Sequence, residues 1–478
     1  MAGTLRASKQ GLELIDQVRR ARGWSAQSST WAEASQVSLS TLKRFLRKTP
    51  IAKHSFVAIC QAVGIENWEE IADLPLLSNF NSEIISPVTP SFFSYDPNWV
   101  GRDSLLTNLQ KRVESSCRLL ILTGIGGIGK TALAERLAVE LQSNWLGGDW
   151  SKFIQENFDD QEQPTDFDAV ASRLLEKCGQ AVTPEESKDS QRLLHRFVKH
   201  LEENRYLLVI DSLENILKGN EDQGWSEFAD ARFVQLFSRI LSATSFQSLI
   251  ILTSQDIPAQ ILELGTRYQN FWYSQQLTGL SNQEQLALFD KTGLGNKLEA
   301  SSIPYLARIG AAYEGHPLAL RIIIGEIKGS PFNGNVIAYW NKYGSEIEEV
   351  EKVIFEAQKG KITGEDQWKL DRFTLSLQRN VRLRLKKSFA RLEKNNKYSY
   401  ILLCETSVYR CPVPEAFWLS HLEDWDCNRE DQIAALEALK ERYLVEEIID
   451  NNQYLLRQHN LIRSVSLEHL TDFSKDSE

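Results

Sequence analysis

No apolar run in this sequence approaches the ~18–20 residues that cross a bilayer, so no membrane span is expected. The opening MAGTLRASKQ has no apolar h-region, which argues against a secretory signal. Cysteine is sparse. The six are scattered at Cys60, Cys117, Cys178, Cys404, Cys411 and Cys427, with no C-x-x-C pair. That spacing speaks against a disulfide frame or a zinc site and fits reduced thiols in a cytoplasmic protein. The seven histidines form no H-x₃-H or H-E-x-x-H grouping, so no metal is indicated beyond one carried by a ligand. No internal period of 20–50 residues is present, which excludes a propeller or solenoid within these residues.

What is there is ordinary globular composition, 42% hydrophobic and 25% charged over 478 residues, enough for two to four domains. The net charge of −10 is unevenly spread. Residues 1–60 hold ten Lys/Arg against three Asp/Glu, a net of +7, which leaves −17 on the remainder. Only this basic head is suited to nucleic acid.

The densest chemical signal is Leu119 to Thr131, LLILTGIGGIGKT. An apolar strand-like run stops at Thr123, and Gly124, Ile125, Gly126, Gly127, Ile128, Gly129, Lys130 and Thr131 then match G-x-x-x-x-G-K-[ST]. A run of helix formers begins at once with Ala132. Glycines let backbone N–H groups curl toward phosphate oxygens, and the new helix adds its positive end. Lys130 can reach the β and γ phosphates, and the Thr131 hydroxyl can ligate Mg²⁺. A nucleoside triphosphate is therefore the expected ligand, with ATP and ADP the expected forms.

Alternating apolar runs and amphipathic stretches over 98–275 predict a parallel sheet covered on both faces. Strands are expected at 119–123, 206–210, 248–253 and about 270–274, with one more around Phe153. Helices are expected at 130–142, 167–178, 190–203 and 230–242. Tyr206 to Asp211 has the form of a buried strand ending in a carboxylate, and Asp211 is placed to hold Mg²⁺. Ser212, not an acid, follows it, and no well-placed general base is seen, so hydrolysis is expected to be slow. Gln255, after the apolar strand SLIILTS, is expected near the γ-phosphate.

The head reads as a set of short helices, with Leu12, Ile15 and Val18 on one face and Leu39, Leu42, Phe45 and Leu46 on another. Residues 10–74 resemble the lambda-repressor-type helix-turn-helix family, through STWAEASQVSLSTLKRF, FVAICQAVGI and WEEI. The resemblance implies that Ser40, Thr41, Lys43, Arg44 and Arg47 line a recognition helix. A solvated basic helix on a protein-binding adaptor is the alternative. Residues 76–97, rich in proline and serine, read as a linker.

Val100-Gly101-Arg102, the phosphate loop, Asp211, ILTSQ, Leu277-Thr278-Gly279-Leu280 and Gly315-His316-Pro317-Leu318 fall in the order of the NB-ARC ATPases of the STAND signalling class. The resemblance is to bacterial, cyanobacterial-like members and covers about 98–470. It implies a fold in parts: an α-helical head at 1–75, an α/β P-loop domain at 98–275, a helical ARC-type domain at 276–345, a connector at 346–370 and a winged-helix domain at 371–478. Val100, Gly101 and Arg102 would border the adenine, and Pro317 would pack on it. His459, in a Gln458-His459-Asn460 run where the family has Met-His-Asp, would touch the β-phosphate of ADP.

Two departures predict a weaker lock on ADP: Gln255 where relatives often carry arginine, and Asn460 in place of aspartate. The implied function is an ATP/ADP-dependent switch with weak hydrolysis, acting in signalling, transcription control or defence and forming nucleotide-dependent homo-oligomers. A DNA-binding ATPase adaptor of a mobile element is the alternative. With no repeat before Glu478, the trigger is expected from another chain, the head or nucleic acid.

Overall fold

The structure is a computed structural model. It describes residues 99–475 except 160–163, 221–223, 295–298, 360–371, 410, 426 and 451–452. Before residue 99 it describes 4, 5, 7, 12, 15, 16, 18, 19, 31, 35, 42, 45, 46, 51–63, 65 and 71. The chain divides into two compact units, Met1–Ser86 and Pro87–Glu478.

In the first unit a helix spans Lys53–Ala62, one residue earlier than its apolar pattern suggests, and Thr4–Leu5 pairs antiparallel with Ile51–Ala52. The core holds Ile15, Trp31, Leu42, Phe45, Phe56 and Ile59, with Leu12, Val18 and Leu46 packed against it. Phe45 meets Trp31 and Phe56 edge-on, as aromatic quadrupoles prefer. Ser40, Thr41, Lys43, Arg44, Arg47 and Leu39 lie outside the described residues, as does the expected linker 76–97.

The second unit is built on five parallel strands in the order Phe153–Asn157, Leu207–Asp211, Leu249–Ser254, Leu119–Thr123, Trp272–Gln276. The three central strands are buried along their whole length, so their sequences are continuous apolar runs. Side chains alternate between faces. Leu120 and Leu122 pack with the helix Lys130–Asn144, whereas Leu119 and Ile121 pack toward Phe167–Lys177, Ser190–Glu203 and Ala231–Ser242. Asp166, Asp189 and Asp230 cap those last three helices by accepting from backbone N–H groups. The strand near Phe153 forms the sheet edge. A two-stranded antiparallel ladder, Leu217–Asn220 with Gly224–Phe228, follows the Asp211 strand, where the sequence pattern predicts none.

Beyond the sheet come helices Asn282–Lys291, Ile303–Ala312, Pro317–Lys328 and Val336–Lys359. Ser281 and Glu284 close a reciprocal capping box on the first. A boundary at 345 falls inside the 24-residue helix Val336–Lys359, because Tyr339 and Ile347 both carry its buried stripe into the core. The expected connector is therefore helical as far as Lys359.

Helix Arg372–Asn395 then leads into Lys397–Glu405, Glu415–Ser420 and Arg429–Glu441. A three-stranded antiparallel sheet places Gln453–Arg457 between Val413–Pro414 and Glu446–Asp450, and helix Asn460–Lys475 follows. Buried Arg384 joins this part to the preceding helices through Glu326, Glu346 and Tyr339. Among the described residues no helix is long and apolar enough to cross a membrane.

Candidate functional site

The strand Leu119–Thr123 ends where the loop 124–129 begins, and Lys130 opens the helix behind it. Gly127 and Gly129 have φ of +78° and +94°, a region that side chains with a Cβ rarely adopt. Lys130 is buried, and its Nζ donates to the carbonyl oxygens of Gly124 at 2.8 Å and Ile125 at 3.3 Å. The Thr131 hydroxyl donates to both carboxylate oxygens of Asp211, at 2.8 and 3.0 Å. Thr253 Oγ1 donates to the same carboxylate and accepts from the Ser212 N–H at 3.0 Å. Burial pushes the Asp211 carboxyl above the usual range, against the two hydroxyls and Lys130. Hydroxyls are weak compensation for a buried anion, so Asp211 suits a cation there.

These groups line a cavity of about 360 Å³, within the range of small-molecule sites. Its wall includes Val100 and Arg102, the loop from Gly126 through Ala132, Asp211, Gln255, Pro317 and His459. Gly101, Gly124 and Ile125 stand behind it; Gly101 and Gly124 shape turns at φ of +67° and +145°, and the Ile125 side chain is in the core. Gln255 Oε1 is buried and makes no hydrogen bond among the described residues. The wall is apolar at Val100, Leu280, Leu288, Pro317 and Leu318 and polar around Lys130 and Asp211, so one molecule with a flat apolar end and an anionic tail fits both.

His316, outside the expected set, and Arg102, within it, also shape the cavity. His316 is fully buried; its Nε2–H donates to the Gly126 carbonyl at 2.9 Å, and its Nδ1 accepts from Ala319 N–H at 3.3 Å, capping the helix Pro317–Lys328. Burial lowers its pKa to about 3, so the ring is neutral. Arg102 donates to the carbonyls of Ile128 at 2.6 Å and Thr278 at 3.3 Å, and its own N–H donates to Glu284 at 2.6 Å.

Glu214 lines the same cavity, accepts from Gln255 N–H at 3.2 Å and has its carboxyl raised by burial, opposed by Lys130. The sequence alone shows no well-placed general base after Asp211; a tight turn there brings Glu214, three residues on, to the cavity wall. Asp159 is a second such acid. Its carboxylate accepts from Ser212 Oγ at 2.6 Å, from Asn215 Nδ2 at 2.7 Å and from Asn460 Nδ2. Glu214 was visible in the sequence as an acid three residues after Asp211; Asp159 carried no signal.

Residues 98–252 match the AAA ATPase domain family. A curated relative, an uncharacterized WD repeat-containing protein of Nostoc sp., is 30% identical over 371 residues. That match covers 70% of this chain, and the chain spans 28% of the length of the relative. Among solved structures, a STAND protein with a tetratricopeptide repeat sensor from Pyrococcus horikoshii aligns at 15% identity and a TM-score of 0.43, over 78% of this chain and 42% of that one. The ORC1 protein of Aeropyrum pernix in complex with DNA aligns at 14% identity and 0.34, over 79% and 94%. The residues that match the AAA ATPase domain family supply the loop and Asp211 to the cavity, and the region beyond 252 supplies Gln255, Pro317 and His459.

Proposed function

We propose that this protein is an adenine-nucleotide-dependent switch of the NB-ARC type, with weak ATP hydrolysis. The observation that carries the reading is a single cavity with walls from three successive parts of the chain: Lys130, Pro317 and His459 all face it. A ligand held by all three changes the free energy of their arrangement, and it does so only by its differential affinity for the arrangements.

In this reading the adenine lies between Val100 and Pro317, which offers a flat apolar face with no N–H to leave unpaired. The loop N–H groups and Lys130 hold the phosphates. Thr131 and Asp211 fit Mg²⁺, since Asp211 is a buried carboxylate whose direct hydrogen-bond donors are the Thr131 and Thr253 hydroxyls, and the remaining ligands of such a site come from phosphate and water. When bound, Mg²⁺ supplies charge neutralisation for the terminal phosphates. Gln255 Oε1 is an acceptor for a water near the γ-phosphate; Glu214 takes its proton only when ionised, a form that burial disfavours, which keeps hydrolysis weak. Residues 371–478 are read as a winged-helix domain, and His459 as its contact to the β-phosphate.

The test is size-exclusion chromatography with light scattering, in ADP and in a non-hydrolysable ATP analogue, both with Mg²⁺. A change of mass or hydrodynamic radius between the two is expected. Identical profiles, with both nucleotides demonstrably bound, would remove the switch.

A further inference from the structure

Asp159 lies two residues past the edge strand Phe153–Asn157, beside the end of the Asp211 strand. Three side chains donate to its carboxylate. Ser212 and Asn215 come from the turn after Asp211, and Asn460 comes from the start of the last helix, 301 residues away. Oδ1 takes Asn215; Oδ2 takes Ser212 and Asn460. The first two bonds fix the carboxylate to the sheet. The third ties the C-terminal part to it, at the rim of the cavity that both line.

We propose that Asp159 and Asn460 form the latch that holds the C-terminal part against the nucleotide-binding sheet, and that its strength depends on an amide at 460 facing a carboxylate at 159. An aspartate at 460 would set two carboxylates in contact, beside Asp211 as well. Like charges at that distance repel, so position 460, although exposed, disfavours the acid on electrostatic grounds. Asn460 is thus a strengthening element in this chain, contrary to the weakening its sequence position suggests. The inference rests on the reading of the cavity as a nucleotide site for one consequence, slow ADP release; the latch itself needs no ligand.

The experiment uses the full chain with Asn460→Asp, Asn460→Ala, Asp159→Asn and the double swap Asp159→Asn/Asn460→Asp. In the swapped pair the amide now at position 159 donates to the carboxylate now at position 460. The amide oxygen at 159 still accepts from Asn215, and the Ser212 hydroxyl turns to act as acceptor. Two readouts are taken: hydrogen exchange of residues 453–475 without nucleotide, and dissociation of a fluorescent ADP. Asn460→Asp is expected to speed both by about tenfold, the size of a lost charge-assisted hydrogen bond, and more than Asn460→Ala does. The swap should recover to within about threefold of wild type, since it restores one such bond.

Equal effects of Asp and Ala at 460, or no recovery in the swap, would overturn the latch. If no variant or wild type binds ADP, the nucleotide reading fails while hydrogen exchange still decides the latch. Circular dichroism and unfolding midpoints identify any variant that fails to fold, and the swap then carries the test.

Discussion

His316 has both ring nitrogens committed, one to the phosphate-loop carbonyl of Gly126 and one to the N–H of Ala319. Protonation would turn the Nδ1 acceptor into a donor and lose the helix cap. With a folded pKa of about 3 and an unfolded value near 6.5, the unfolded chain takes up the proton first as pH falls. The contribution to stability is complete above about pH 6.5 and shrinks as pH drops toward 3, by up to ~1.4 kcal/mol per pH unit. Urea unfolding at pH 7.5 and 5.5 should show this fall. His316→Asn keeps an oxygen acceptor for the cap but cannot titrate, so its fall over the same interval should be smaller. Equal falls in the two proteins would contradict a neutral buried ring. Lys130→Ala has a simpler expectation. It removes the cation at the loop, so adenine nucleotide should be recovered from denatured wild-type protein and be absent from the variant; equal recovery from both would contradict the role of Lys130.

At the scale of elements, the loop Leu277–Leu280 packs directly against the turn before Pro317. A Cβ on Gly279 would stand 1.8 Å from the Glu314 carbonyl oxygen, a backbone atom that cannot step aside alone. Gly279→Ala should therefore destabilise the protein by about 1–3 kcal/mol through overpacking. It should also weaken nucleotide binding, because that turn carries His316 and Pro317; denaturant unfolding and ADP titration check the two effects. A variant as stable as wild type would mean that the turn gives way freely.

These elements were unequally legible. The strands at 119, 207 and 249 are buried on both faces and so read as unbroken apolar runs. The edge strand Phe153–Asn157 buries only alternate residues, and its Gln155, Glu156 and Asn157 left its place around Phe153 legible but not its ends. The phosphate loop was legible because its chemistry lies in one contiguous stretch. Arg102 to Glu284 and Asn460 to Asp159 were not, being 182 and 301 residues apart, and no local pattern encodes such a pairing.

At the scale of the whole second unit, the cavity sits where one apolar cluster, from Val100 through Val381, and another, from Leu318 through Val465, come together, since Val100, Leu280 and Leu288 of the first and Leu318 of the second all line it. A nucleotide placed there touches groups belonging to both clusters. Its binding free energy should then be felt by both, not by the sheet alone. At a free ADP concentration of 100 times Kd the gain is about 2.7 kcal/mol. Hydrogen exchange should slow together in the loop 124–131 and in residues 453–475. His459→Ala removes the C-terminal contact while leaving Lys130 and the loop in place. In that variant ADP should still protect 124–131 but protect 453–475 less than in wild type. If ADP protects the loop and leaves 453–475 unchanged in the wild type, the nucleotide does not bridge the two clusters, and a switch that works by closing them over the phosphates has no lever.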